Sequence, residues 1–296
     1  MKKFSVYILL SFLLFACNSK QEEIEEITNE HVEKIPNEFT QKLLIEYSTS
    51  TRVGVAPEVK VFIDREIKKR PTKIIPIAIQ ARRDPMTLTF ITDYYEEKFK
   101  LISCIPAGLV NRRQSPYRRE LDLSTTVYEW QPMADTLFKK EKTSVGVAIQ
   151  TVYQTTNKTI SISAKVGFGE KTDISAKYKL LVYLTEDGLI YPQKNDFSYN
   201  EIYKDFTHLK EYYYKPSIIQ DYVHNSVLRH IFSSLEGDEI EVNKINRAIE
   251  KSYTFQLNEE KYQNCNVIAA VIKEVNGKAW IENVQTVKLG KNQSWD

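Results

Sequence analysis

Three Cys and four His limit what this 296-residue chain can do through thiols, imidazoles or metals. Thiol exchange needs a thiolate nucleophile and a resolving thiol held beside it, and neither Cys104 nor Cys265 has a second Cys at short spacing. Cys104 therefore reads as a small core hydrophobe. A disulfide between Cys104 and Cys265, in an oxidising compartment, stays open as an alternative. His224 and His230 are six positions apart, off a common helical face, and no Cys or carboxylate spacing completes a metal set around them. The sequence therefore assigns no metal and no cofactor. It also holds no Gly-x-Ser-x-Gly, His-Glu-x-x-His or phosphate-cradling glycine loop, and Asp238 and Glu239 read as solvated charges. What remains is recognition chemistry. Seven of the 18 Tyr fall between Tyr191 and Tyr222, among them Tyr212, Tyr213 and Tyr214, and tyrosine offers rigid, amphipathic contact area. Those three are the candidate binding surface, with packing of a long loop onto a sheet as the competing reading. The basic run Asn111 to Arg119 reads as a solvated turn and interface, with anion or lipid head-group binding as its alternative.

Two different halves must position these residues. At 42% hydrophobic and 27% charged the chain is globular, and its length allows about two domains. In the first half, Leu43 to Ile45 fits a buried strand and Glu58 to Arg70 repeats apolar residues at helical spacing behind Pro57. Lys73 to Gln80 is a second strand, with Pro76 marking an edge or bulge. A short helix over Thr92 to Lys98 and an extended piece over Ala107 to Asn111 follow. A helix beginning at Pro132, with Trp130 as core or packing residue, then closes an α/β unit. After Thr143 the period changes to two through Val145 to Thr151, Ile160 to Val166 and Tyr178 to Thr185. Asn276-Gly277 joins two further strands as a tight hairpin. An irregular insertion runs from Pro192 to Gly237.

The N-terminus is an address. Lys2 and Lys3 precede a 13-residue apolar stretch, Phe4 to Ala16, too short to span a bilayer. Ala16-Cys17 resembles the lipobox of bacterial lipoproteins, which implies an acylated Cys17 after removal of residues 1 to 16. The 41 basic residues then lose Lys2 and Lys3 and equal the 39 acidic ones. The segment 17–39 carries seven Glu against two Lys and reads as an acidic tether. Residues 40–142 carry an excess of six positive charges, too few and too scattered for a nucleic-acid surface.

The first half also resembles a family. LIEYSTSTRVGVAP, Leu44 to Pro57, looks like the thioredoxin-like opening of strand, Cys-x-x-Cys-Pro loop and helix. Here Val53 and Ala56 stand at the two cysteine positions and Arg52 at the Trp, while Gly54 and Pro57 keep their places. Ile105-Pro106-Ala107-Gly108 resembles the loop that carries the cis-proline opposite the active site, which makes Pro106 that residue. LLVYLTEDGLIYPQ, DYVHNSVLRHIF and VIAAVI before the hairpin, taken together, resemble the Omp28-related outer-membrane lipoproteins of Gram-negative bacteria over residues 40–290. That resemblance implies a signal peptide (1–16), a tether (17–39), a thioredoxin-like α/β domain with its redox motif lost (40–142) and a mainly antiparallel β-sandwich-like domain (143–296). The class is α+β overall. The expected function is a lipid-anchored binding or scaffold protein of the outer membrane, at the cell surface rather than the periplasmic face, without catalytic activity. Its expected partners are the membrane, through acylated Cys17, and an outer-membrane protein or surface glycan, with no nucleic acid. The alternative is envelope thiol-disulfide exchange through Cys104.

Overall fold

The computed structural model describes residues 35–118, 123–242, 245–256 and 264–296. The signal segment, Cys17 and nearly all of the acidic tether lie outside the described residues. β1 (Leu43–Thr49) runs into α1 (Ala56–Lys69) and back along β2 (Ile74–Gln80), parallel to β1. α2 (Thr89–Phe99) leads to β3 (Gly108–Val110), antiparallel to β1 on its other side, and α3 (Val127–Leu137) follows. β4 (Val145–Gln154), β5 (Thr159–Phe168) and β6 (Lys177–Glu186) come before the insertion. β7 (Val227–Ile231), β8 (Asp238–Ile240), β9 (Arg247–Gln256), β10 (Cys265–Val275) and β11 (Lys278–Lys288) complete the chain of major elements.

One eight-stranded sheet runs β11-β10-β6-β7-β2-β1-β3, with β8 also paired to β6. Its two faces explain the sequence pattern. In β6, Leu180, Val182 and Leu184 face one core while Leu181 and Tyr183 face another; in β10, Val267, Ala269 and Val271 alternate in the same way with Ile268 and Ala270. Strands covered on both faces read as continuous apolar runs, and those covered on one face alternate. β9 is of the second kind, exposed at every other residue. It lies at the edge of a four-stranded sheet of β9, β5, β4 and Asn292–Gln293. β4 and β5 bury Val147, Ile149, Ile162 and Val166 against β6 and β10. On the opposite face α2 packs Ile91, Tyr95 and Phe99 into the second core, and α1 and α3 enclose a third with β1 and Trp130.

Pro76 sits where the sequence reading placed it, at an open stretch. Ala78 donates its N–H to the Ser226 carbonyl at 2.8 Å, and β7 meets β2 only at Val227 and Ala78. Two residues earlier, on the same side of β2, no strand runs that would need the N–H proline lacks. α3 departs from expectation. It starts at Val127, five residues before Pro132, because Thr126 donates from both its backbone N–H (2.8 Å) and its hydroxyl (3.0 Å) to the Glu129 carboxylate. Pro132 falls inside the helix, where its missing N–H leaves only the carbonyl of exposed Tyr128 without a helical donor.

The boundary expected between residues 142 and 143 does not separate two bodies. The described residues form one compact unit. β7 from the second half pairs with β2 from the first, and Ile281 of β11 donates its N–H to the Asn111 carbonyl at 2.8 Å. One core draws Leu44, Ile77 and Tyr95 together with Leu181, Tyr183 and Ile268.

Candidate functional site

The loop from Ser50 to Val55 leaves the C-terminal end of β1 and enters α1. Asp84 fixes its first turn: one carboxylate oxygen accepts from the Thr51 N–H (2.6 Å), the Thr51 hydroxyl (2.8 Å) and the Ser50 hydroxyl (3.1 Å), the other from the Met86 N–H (3.0 Å). Val53 is half-buried and Ala56 buried, and the Ala56 N–H donates to the Val53 carbonyl at 3.1 Å, closing a turn. The Ile105–Pro106 peptide is cis, and next to it Ala107 and Ser48 exchange backbone and hydroxyl hydrogen bonds.

The insertion covers this loop. The Gln193 amide donates to the carbonyls of Ser50 (3.3 Å) and Val53 (2.9 Å); the N–H groups of Lys194 and Asp196 donate to Thr51 (2.8 Å) and Gly54 (2.9 Å). A methyl group built on Gly54 would overlap the Asp196 carboxylate. Val55 packs against a small core of Phe197, Leu209, Tyr212 and Ile219 within the insertion. Five of the six loop residues, Ser50, Thr51, Val53, Gly54 and Val55, thus have backbone or side-chain partners in the insertion, and the loop acts as a socket for it.

That arrangement overturns the tyrosine surface. Tyr212 and Tyr213 are 3% and 8% exposed; only Tyr214, at 61%, faces solvent. Lys210–Tyr213 forms a single helical turn, which points Tyr212 into the insertion's core while the Tyr213 hydroxyl donates to Glu201 at 3.1 Å. Asn195 holds the turn by donating to the Tyr212 carbonyl at 2.8 Å. Cys104 is exposed, contrary to the core reading, because it lies in the irregular segment after α2; Cys265 is buried, and the two thiols are unpaired. Burial, reinforced by the Glu186 charge, pushes the Cys265 thiol up to about 12. The two histidines stay apart in role. His224 is buried with its Nε2 3.3 Å from the Tyr191 carbonyl, and His230 stacks on Phe255; desolvation lowers both below the usual imidazole value. Among the described residues no group of three His, Cys, Asp or Glu could hold a metal ion.

The basic run Asn111 to Arg119 is likewise no solvated turn at its start. Arg112 is buried and places Nε and Nη2 each 2.7 Å from the two oxygens of Glu46, itself wholly inaccessible. The Tyr95 and Tyr183 hydroxyls donate to the same carboxylate at 2.5 and 3.0 Å. Burial opposes the charge on Glu46, but the Arg112 guanidinium and the hydrogen bonds outweigh it and hold the carboxyl below its ordinary value. Arg119 lies outside the described residues.

Sequence reasoning also missed a groove. α1 and the insertion border a cleft of about 650 Å³ whose lining includes His208, Tyr212, Pro216 and Tyr222. Behind it lies a cavity of about 50 Å³ at the C-terminal ends of β1 and β2, with Gln80 in its wall. Gln80 is 3% exposed, and neither its amide oxygen nor its nitrogen has a protein hydrogen-bond partner. The signal was present only as a polar residue ending an apolar strand.

The described residues form a three-layer α+β body with an occluded loop and an open groove. Residues 92–293 match the family model described as Outer membrane protein Omp28, and the chain belongs to that family of outer-membrane-associated proteins. Among solved structures, HBP35 of Porphyromonas gingivalis is similar over 86% of this chain and 76% of its own, at 14% identity and a TM-score of 0.64, a likeness of fold alone. A protein from Agrobacterium tumefaciens aligns over 87% of this chain and 98% of its own at 11% identity and a TM-score of 0.46. A domain of the outer membrane lipoprotein Omp28 from Porphyromonas gingivalis aligns over 50% of this chain and 88% of its own at 15% identity and a TM-score of 0.29. No curated protein sequence matches the chain.

Proposed function

We propose that this protein is a lipid-anchored binding or scaffold protein at the outer surface of the outer membrane, without catalytic activity. The observation that carries the reading is the covered loop: the carbonyls of Ser50, Thr51, Val53 and Gly54 all accept hydrogen bonds from the insertion. A thioredoxin-like plan for residues 40–142 is supported by the strand order β2-β1-β3 and the antiparallel β3. On that plan Val53 and Ala56 take the places of the two thiols, and the insertion occupies the space a substrate would need. The facing of β4 and β5 against β6 and β10 supports a β-sandwich-like second part. Ala16-Cys17 and the membership of the family support the anchor. A second reading, thiol exchange through Cys104, draws on the exposure of that thiol.

Two measurements test the proposal. Mass spectrometry of the mature N-terminal peptide is expected to show acylated Cys17, with Cys17→Ala releasing the protein from membranes. Insulin-disulfide reduction is expected at background rate, unchanged by alkylation of Cys104. An unmodified Cys17 in purified membranes overturns the anchor, and Cys104-dependent reduction overturns the absence of catalysis.

A further inference from the structure

The edge strand of a sheet presents unpaired N–H and C=O groups, and folded proteins usually keep such edges short, bent or covered. The two large sheets end in four strands, and three of them follow that rule. In the eight-stranded sheet, β3 is three residues long. β11 is covered, since its Ile281 N–H donates to the Asn111 carbonyl at 2.8 Å and its Glu282 carbonyl accepts from the Gln41 amide at 2.9 Å. In the four-stranded sheet the edge at Asn292–Gln293 is two residues long. The fourth edge is β9. Its ten residues pair one for one with Thr159 to Phe168 of β5, without a bulge, and contain neither proline nor glycine. No strand lies on its outer side among the described residues. At about 3.4 Å per residue, that leaves roughly 30 Å of open ladder.

The side chains of β9 are incompletely covered as well. Ile249, Tyr253 and Phe255 lie opposite Val166, Ile162 and Ile160 on the core face, yet each stays half-buried. Glu250, Ser252 and Thr254 occupy the exposed face. A strand laid along this edge would continue the ladder and complete the cover of the core face, provided that its own apolar and polar residues alternate in step. β9 of a second copy has that alternation and an open edge of its own.

Two copies of one strand pair antiparallel about a two-fold axis perpendicular to the sheet, so one residue must face itself and opposed residues share a face. Centring the pair on Glu250 or on Lys251 sets like charges directly opposite each other, which is destabilising. Centring it on Tyr253 limits the overlap to residues 250–256. Centring it on Ser252 extends the overlap to 248–256 and opposes a small hydroxyl to itself, Ile249 to Phe255, Glu250 to Thr254 and Lys251 to Tyr253. The Tyr253 hydroxyl donates to the Asp238 carboxylate at 2.8 Å. The lysine of each copy therefore comes opposite a tyrosine that is bound to a carboxylate of the other. A lysine on the core face of an edge strand guards against indiscriminate pairing, and in this register it is matched.

We propose that β9 is a self-association edge: two copies of this chain pair antiparallel through residues 248–256, centred on Ser252, and join their four-stranded sheets into one. The proposal goes beyond the scaffold reading and does not depend on it.

The test uses the chain from residue 17 onward carrying Cys17→Ala and Cys104→Ala, which removes the lipid site and the exposed thiol. Sedimentation equilibrium is expected to show twice the monomer mass by about 100 μM, and hydrogen exchange at alternate β9 amides is expected to slow as the dimer fills. Thr254→Glu sets two symmetry-related Glu–Glu pairs across the junction and is expected to weaken the dimer about tenfold with the circular dichroism spectrum unchanged; adding Glu250→Lys is expected to restore it. Ser252→Cys is expected to form an intermolecular disulfide under mild oxidation, and Glu250→Cys alone is not, which decides the register even if Thr254→Glu fails to fold. A chain that stays monomeric overturns the proposal. So does a dimer that is indifferent to Thr254→Glu, or a Glu250→Cys protein that crosslinks as readily as Ser252→Cys. A monomeric chain whose β9 amides become protected only in the presence of envelope extract gives this edge to a different protein and likewise overturns it.

Discussion

Replacing Glu46 by Gln keeps the shape of the side chain and removes its charge, which leaves the Arg112 guanidinium, 7% exposed at its side chain, without an anion. The amide also presents a donor where Arg112, Tyr95 and Tyr183 all donate. Breaking a buried pair from one side typically costs about 3–5 kcal/mol, because the surviving charge stays desolvated. At roughly 2–4 °C per kcal/mol for a body of this size, the melting temperature should fall by about 6–20 °C. Tyr183→Phe removes a hydrogen bond to a charged group, about 1.5–3 kcal/mol, and should fall by roughly half as much. Exchanging Glu46 and Arg112 together for Met, with Tyr95 and Tyr183 changed to Phe so that no buried hydroxyl loses its partner, should restore stability to about the wild-type value or above. The assay is thermal unfolding followed by far-UV circular dichroism and by tryptophan fluorescence, which reports on Trp130 in the first half and on Trp280 and Trp295 in the second. Tyr183 lies in β6 and Glu46 in β1, so both probes should move in one transition for every variant. A shift below about 2 °C for Glu46→Gln would refute the claim that this network ties the halves together, and a biphasic transition confined to one half would do the same.

Three further outcomes are expected. Glu129 is desolvated, but its hydrogen bonds from Arg118, Thr126 and Ser115 prevail and hold its carboxyl at about 2, against an ordinary 4.5. Its contribution to stability is thus complete above pH 4.5 and lost as the pH falls towards 2; Glu129→Gln should lose less melting temperature than the wild type across that window, measured by calorimetry. In native protein, iodoacetamide should modify exposed Cys104 and spare Cys265 until urea unfolds the chain, as read by peptide mass spectrometry. The double substitution Val53→Cys, Ala56→Cys should form an intramolecular disulfide with a small oxidant, since the closed turn from Val53 to Ala56 brings the two positions within about 7 Å. It should still fail to reduce insulin, because the insertion lies over the loop; protein-disulfide reduction by this variant would count against that cover.

How legible each feature was depended on how local its causes are. α1 could be read from spacing because it buries a regular stripe, and β1 and β2 from short apolar runs because both of their faces are buried. β6 and β10 could be read as strands because burial on both faces leaves them continuously apolar. The Asn276-Gly277 hairpin was legible from a dipeptide, and both residues do have positive φ, 52° and 74°. Glu46 and Arg112, by contrast, are 66 positions apart and look like ordinary surface charges until β1 and the turn after β3 bring them together. The tyrosine run was misread for a related reason: a single helical turn has no period long enough to show which side is buried. Cys104 was misread in the opposite sense, since burial statistics for cysteine say nothing about an irregular segment. The two-domain division followed from a real change of period near residue 143, but a sheet can pass through such a change, and β7 returns to β2 by one parallel pairing.

The loop between β1 and α1 resembles a redox loop for physical reasons that are visible in this chain alone. Gly54 and Pro57 made the loop look familiar, yet neither requires a thiol nearby. Gly54 is held to glycine by the Asp196 carboxylate, which occupies the space of a β-carbon, while its own carbonyl accepts from the Asp196 N–H. Pro57 lies in the first turn of α1, where its missing N–H has no helical acceptor and its fixed φ suits the start of a helix. Val53 and Ala56 are apolar and at least half-buried, as positions under a cover must be. Val53, Gly54, Ala56 and Pro57 each therefore have a packing reason to be what they are, and the same insertion that closes the loop also builds one wall of the groove beside it. The cover over the loop and one wall of the cleft are two consequences of one structural element.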